Sequence, residues 1–309
     1  MNSILLIGGT GFIGLNLIEV LLPCYTNIVI TVRSLDKFPQ HITIAPNITI
    51  VQCDLKDKEH LQKIIINHNI SIVLHLASKL IPSSSSEAFS KEMEEVILPT
   101  FNLLEFLSKK NIKIIYFSSG GTVYGNVSNL IYEDHSLNPI SYYGYSKMLI
   151  ENYITFLNRT AMLPYIILRP SNVYGKYQQT DRAQGFISVA LRKILQQQPI
   201  EIWGDGTAIR DYLSVSDLVL CVNKLLDSNI ANEIFNIGTG KGSTLLEIIE
   251  ILQDLTGERA EVMFKEKRKV DVDTMTLAIH KIQSAIDYHP LSLSDGIAKF
   301  VTSIKASTI

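Results

Sequence analysis

Ser3-Ile4-Leu5-Leu6-Ile7-Gly8-Gly9-Thr10-Gly11-Phe12-Ile13-Gly14 is a short apolar run that ends in glycines. Residues 12–22 then carry apolar side chains at helical spacing until Pro23. The stretch predicts a strand, a tight turn and a helix. Gly8, Gly11 and Gly14 stand three residues apart. Glycine permits the turn and lets the backbone approach a pyrophosphate, while the helix N-terminus presents N–H groups and a dipole that favour negative charge. A turn of this kind that follows a strand and opens a helix implies a dinucleotide site formed by Gly8, Thr10, Gly11, Phe12, Ile13 and Gly14.

Outward from that unit the rhythm repeats. Further β-rich runs occupy 28–32, 48–52, 70–76, 112–117 and 165–168, with helical patterns between most of them. Their near-continuous hydrophobicity predicts a parallel sheet covered on both faces. The fold class is therefore α/β, a Rossmann-type doubly wound parallel sheet with a smaller C-terminal substrate lobe. Beyond Arg169 the pattern is less regular, with loops expected at 175–184 and 203–212, although Phe235-Asn236-Ile237 can return as a strand of the main sheet. This divides the chain into a dinucleotide domain at 1–168 plus about 212–237, and a lobe at about 169–211 and 238–309. The serines at 83–86 read as a mobile loop.

Composition narrows the partners. The 309 residues are 46% hydrophobic and 19% charged, with a net charge of −2 and no basic run, which argues against nucleic acid or an anionic membrane surface. No apolar stretch reaches the ~20 residues needed to span a bilayer. Residues 1–7 lack the basic start of a signal sequence. Cys24, Cys53 and Cys221 are scattered and read as reduced thiols, so a cytoplasmic location is expected. No metal is expected: His60 and His68 lie on a helical pattern without a carboxylate at ligand spacing, and His75 ends a buried strand.

Tyr143 and Lys147, one helical turn apart in Ser141-Tyr142-Tyr143-Gly144-Tyr145-Ser146-Lys147, are the candidate catalytic pair. A free phenol titrates near pH 10, and a neighbouring ammonium stabilises its phenolate. After the second strand stands Val32-Arg33-Ser34 in place of an acidic residue. The Arg33 fork and the Ser34 hydroxyl suit the 2′-phosphate of NADP, so NADP(H) is slightly favoured over NAD(H), with Asp36 as an alternative ribose contact.

These stretches occur in order with Asp54-Leu55, His75-Leu76-Ala77, Ser118-Ser119-Gly120-Gly121-Thr122-Val123-Tyr124-Gly125, Arg169-Pro170-Ser171-Asn172-Val173-Tyr174-Gly175, Gly204-Asp205-Gly206 and Arg210-Asp211-Tyr212. The set resembles the extended short-chain dehydrogenase/reductase family, in its nucleotide-sugar epimerase, dehydratase and reductase branch. The resemblance implies that Asp54 and Leu55 contact adenine, Ala77 and Ser78 line the cofactor path, Tyr143 exchanges the proton, and Lys147 lowers its pKa and holds the nicotinamide ribose. It also implies that Asn172 and Arg210, with Arg268 and Asp271, bind a nucleotide-diphosphate sugar. Arg210-Asp211 alternatively reads as a surface ion pair.

Two positions depart from the family pattern. The usual catalytic hydroxyl falls at Gly120, which leaves Thr122 or Ser119 to polarise the substrate carbonyl. An asparagine frequent in the preceding helix is replaced by Val96, near Pro99. Within the branch the resemblance implies a reductase forming dTDP-fucose from dTDP-4-dehydro-6-deoxyglucose for O-antigen synthesis. The alternatives are a UDP-glucose 4-epimerase with retained NAD, and a non-enzymatic cofactor-sensing regulator. Family members also imply a homodimer through helices at about 89–109 and 143–158.

Overall fold

The computed structural model describes residues 3–38, 45–127, 130–178, 185–266 and 274–307. Every residue of β1 (Ser3–Ile7) is buried, with Ile4 and Leu6 in one apolar cluster and Leu5 and Ile7 in another. Successive side chains alternate faces and both faces are covered, which is why the run is apolar throughout. With β2 (Asn27–Val32), β3 (Ile48–Gln52), β4 (Ile70–His75), β5 (Lys113–Phe117), β6 (Tyr165–Pro170) and β10 (Glu233–Ile237), it forms a seven-stranded sheet in the order β10-β6-β5-β4-β1-β2-β3. All of its pairings are parallel. The expected strands form with small shifts at their ends, and the segment at 235–237 does return beside β6.

Helices α1 (Phe12–Leu21) and α7 (Val215–Asp227) cover one face. The other is covered by α2 (Lys58–Asn67), α4 (Leu98–Lys110) and α5 (Tyr142–Ala161). Between β4 and α4 lie α3 (Ser86–Glu92) and a π turn, Met93–Ile97. Winding reverses between β1 and β4, so a crevice opens beyond their carboxyl ends, where doubly wound sheets bind ligands.

A third apolar cluster lies in the lobe. There α6 (Phe186–Leu195), α8 (Leu245–Thr256) and α10 (Leu293–Ser307) pack with Ile200 and Ile202 of β8 (Ile200–Trp203). Strand β12 (Val262–Lys265) pairs with β8, and a short helix, α9 (His280–Ala285), packs on β10. The loop expected at 203–212 is shorter than the sequence suggests. Its second half is β9 (Ile209–Ser214), which pairs with β7 (Asn172–Tyr174), β11 (Gly242–Thr244) and β13 (Thr274–Met275).

Asp211 hid that strand, because a carboxylate in mid-strand breaks the apolar pattern. It is fully buried, and the reading of Arg210-Asp211 as a surface ion pair does not hold. Its carboxylate accepts hydrogen bonds from Thr239 N (2.9 Å), Thr239 Oγ1 (2.8 Å), Gly240 N (3.2 Å) and Ser171 Oγ (3.3 Å). The serines at 83–86 also have structural work: Ser84 Oγ accepts from Ile81 N, and Ser85 caps α3. Of the loop expected at 175–184, only 175–178 lies among the described residues.

Under α5, Glu151 and Arg169 form a buried ion pair, Nη2 to Oε2 at 2.7 Å. Arg169 Nη1 also donates to Tyr124 Oη (2.7 Å) and to Glu133 O (3.0 Å), and Tyr124 Oη donates to Asn236 Oδ1 (2.6 Å). The network ties α5, β6, β10 and the segment after β5 into one unit. Removing one partner of such a pair strands the other charge, so Glu151→Ala should cost about 3–5 kcal/mol of stability, measured by guanidinium chloride unfolding.

Candidate active site

Gly8 has φ +82°, and a Cβ there would lie 2.9 Å from Ala77 N, so only glycine lets the ends of β1 and β4 approach this closely. A Cβ on Gly14 would run into Gly9 O, which explains the last glycine of the turn. Helix α1 starts at Gly11 with no side-chain cap and no acid in its first turn, so its N–H groups face the crevice unopposed by negative charge. The crevice opens into a continuous cleft of about 1630 Å³. Buried hydroxyls of Ser118 and Thr122 also border it, without a hydrogen-bond partner among the described residues. A nicotinamide dinucleotide fits this cradle: the turn takes the pyrophosphate, and donors without partners stand further along the cleft.

The start of α5 carries the chemistry. Ser141 caps the helix by accepting from Gly144 N (3.1 Å), and Gly144 itself packs on Thr122 O where no side chain would fit. This sets Tyr143 and Lys147 on the cleft wall. Lys147 Nζ donates to Phe117 O (2.9 Å) and lies 5.6 Å from the centre of the Tyr143 ring. Burial pushes the Lys147 ammonium down to about 8, against the opposing pull of Glu92 and Glu151. Desolvation pushes the Tyr143 phenol up to about 12, and the Ser119 hydroxyl pulls it back down. His75 is driven down to about 3 by burial and by Lys147, and its Nε2 pairs with Thr100 Oγ1 at 2.9 Å. It is neutral and structural.

Gly120 stands where the family's hydroxyl is expected for a packing reason. A Cβ there would meet Leu277 Cδ1 at 2.6 Å and Arg169 O at 2.8 Å. Both candidate substitutes line the cleft, and of the two it is the Ser119 hydroxyl that draws the Tyr143 phenol downward against desolvation. Val96 also lines the cleft, from the π turn.

Most of the sequence-derived residues converge. Gly8, Thr10, Gly11, Phe12, Ile13, Gly14, Arg33, Asp54, Leu55, Ala77, Ser78, Ser119, Thr122, Tyr143, Lys147, Asn172 and Arg210 all line the one cleft. Ser34 does not; it precedes a short 3-10 turn, Leu35–Lys37, which also carries Asp36 outside the lining. Arg268 and Asp271 lie outside the described residues. Asn172 Nδ2 donates to Asp211 O (3.0 Å), so the buried carboxylate strand also places this side chain. The sequence reading missed Lys79 and Trp203, both on the cleft wall. The one tryptophan of the chain, immediately before Gly204-Asp205-Gly206, was the available signal.

A glycine cradle at the switch point of a parallel sheet, with a tyrosine and lysine on the next wall, defines an enzyme of the extended short-chain dehydrogenase/reductase type. Residues 4–238 match the model of the NAD dependent epimerase/dehydratase family, and the chain belongs to that family. It is similar to a putative UDP-glucose 4-epimerase of Methanocaldococcus jannaschii, 35% identical over 98% of both chains. It is also similar to the dTDP-4-dehydro-6-deoxyglucose reductase of Escherichia coli, 33% identical over 98% of both. Among solved structures, the UDP-glucose 4-epimerase of Thermus thermophilus in complex with NAD superimposes with a TM-score of 0.89 at 26% identity, covering 99% of each chain.

If Ser119 is the hydroxyl that holds the phenol, Ser119→Ala should lower kcat about ten- to a hundredfold. Thr122→Val should lower it several-fold less in the same steady-state assay.

Proposed function

We propose that the chain is an NAD(P)-dependent oxidoreductase acting at C4 of a nucleotide-activated hexose, and that it reduces dTDP-4-dehydro-6-deoxyglucose to dTDP-fucose for surface polysaccharide (O-antigen) synthesis. The observation that carries the reading is the Tyr143–Lys147 pair on the same cleft as the glycine cradle. When bound, the nicotinamide supplies hydride transfer at its ring C4. Tyr143 gives its proton to the sugar oxygen, Ser119 orients the phenol, and the Lys147 ammonium stabilises the phenolate left behind. Thr122 offers a second hydroxyl to that oxygen. Asn172 and Arg210 hold the sugar nucleotide, the arginine by charge-assisted bonds to diphosphate. Trp203 offers a flat apolar face to the base.

Support for reduction over epimerisation comes from Arg33, which lines the cleft at the end of β2 where an acid would favour the ribose of NAD. NADP(H) is the cofactor of this reading. The full-length similarity to the E. coli reductase points the same way. The second reading, a 4-epimerase with retained NAD, draws on the M. jannaschii relative and on the NAD complex of the Thermus epimerase. A cofactor sensor would have no use for the proton relay. Three free thiols, Cys24, Cys53 and Cys221, support a reducing, cytoplasmic setting. Among the described residues no helix is long and apolar enough to cross a membrane.

The reading includes a homodimer. On α4 and α5, Leu98, Tyr142, Tyr145 and Phe156 are exposed, beside a stack of Phe101 on Tyr153 at 4.1 Å. A second copy would bury this face in a four-helix contact.

Purified protein given dTDP-4-dehydro-6-deoxyglucose should consume NADPH stoichiometrically, followed by absorbance, and should leave UDP-galactose unchanged. Conversion of UDP-galactose without net cofactor oxidation would instead establish the epimerase. Tyr143→Phe should abolish nearly all turnover while cofactor binding, read by fluorescence, persists. Turnover should fall as pH rises through about 8, where Lys147 loses its proton, and this limb should move upward in Lys147→Arg.

A further inference from the structure

Glu92 is the last residue of α3, where the chain enters the π turn, and only 2% of it is exposed. Its carboxylate accepts from Ser78 Oγ (2.9 Å) and Lys79 N (3.0 Å), a hydroxyl and a backbone amide. Among the described residues no ammonium or guanidinium stands at ion-pair distance, because the Lys79 ammonium turns to Glu95 instead. Across from it, α5 packs on both α3 and the π turn. There Lys147, 4% exposed, has among the described residues a carbonyl and the rings of Tyr116 and Tyr143 around its nitrogen, at 5.2 and 5.6 Å to the ring centres. The other buried carboxylate nearby, Glu151, is committed to Arg169. Among the described residues, one buried cation and one buried anion on packed elements are thus left without an ion-pair partner at contact distance. At reduced dielectric they interact across several ångströms, where surface charges would be screened.

We propose that Glu92 is a positioning residue of the proton relay, the counter-charge that keeps the Lys147 ammonium protonated while its hydrogen bonds fix the 78–79 segment on the cofactor path. The proposal rests on Tyr143 and Lys147 being that relay. The titratable and charged groups facing Lys147 are His75 from β4, Tyr116 from β5, Tyr143 and Glu151 from α5, Arg169 from β6 and Glu92 from α3. His75 is neutral, and Glu151 is held by Arg169 at contact distance. Of the two carboxylates that draw the Lys147 pKa upward, Glu92 exerts the stronger pull. Desolvation is the main cause that raises Tyr143 and Tyr116, and the Glu92 charge adds to it at both.

Full-length protein with 13C-labelled lysine is titrated by NMR, with Lys147 assigned by its disappearance in Lys147→Arg. The wild-type midpoint is expected near pH 8. Glu92→Gln, which keeps an acceptor for Lys79 N, should lower that midpoint by about one pH unit, and Glu92→Ala should lower it equally. Glu92→Asp, which keeps the charge, should restore most of it. A purely structural role for Glu92 predicts lower stability in the alanine variant and an unmoved midpoint, and a midpoint unmoved in the folded neutral variants overturns the proposal. The titration needs neither cofactor nor turnover. A shifted midpoint in a protein without oxidoreductase activity would therefore reject the relay and keep the charge coupling, and an unmoved midpoint in an active enzyme would do the reverse.

Discussion

A cation taken out of water must find a negative partner or give up its proton, and beneath α5 the chain meets that demand in two ways. Arg169 and Glu151 touch, with hydrogen bonds on both oxygens of the carboxylate and a tyrosine on the far side of the guanidinium. The contact outweighs desolvation and holds the guanidinium above its usual pKa, so the arginine stays charged and the ion pair locks helix to sheet. Lys147 is treated differently. Its nitrogen is solvated by one carbonyl and two ring faces, and its counter-charge sits further off. Burial without a contact partner leaves its proton loosely held, the condition for a group that works by influencing a neighbour's proton.

The same contrast governs the two ends of the cleft. At the dinucleotide end, specificity for shape comes from backbone: Gly8 against Ala77 and Gly14 against Gly9 admit no side chain. Where Asn172 lines the cleft it comes from side chains held by a buried carboxylate. Asp211 gathers Ser171 from one segment and Thr239 and Gly240 from another, and its own carbonyl fixes Asn172. These segments are thus joined by polar bonds in a dry interior, where each unmade bond would carry its full desolvation cost.

How much of this was legible in the sequence follows from how local each signal is. The glycine turn, the apolar strands and the Tyr143–Lys147 spacing depend on residues within a few positions of one another, and they were readable. Asp211 and Glu92 were not, since their partners lie far off along the chain or on other elements, and an isolated carboxylate in mid-strand or mid-helix looks like a solvated face. Ser34 shows the opposite failure: a hydroxyl beside a candidate phosphate ligand reads as a second ligand, yet it precedes a short turn outside the cleft lining. Motif order carried the family, and the local charge environment came only from the fold.

Gly120 gives this site a history as well as a shape. Its missing side chain leaves room for Leu277 from the segment after β13 and for the carbonyl of Arg169, the residue that also anchors α5. A serine introduced there alone would collide with both. The route back to a hydroxyl at this position therefore runs through prior change at Leu277 and a shift in the backbone that carries the buried ion pair. A change to serine by itself is closed by packing, so a side-chain hydroxyl for this part of the cleft has to come from elsewhere along the loop.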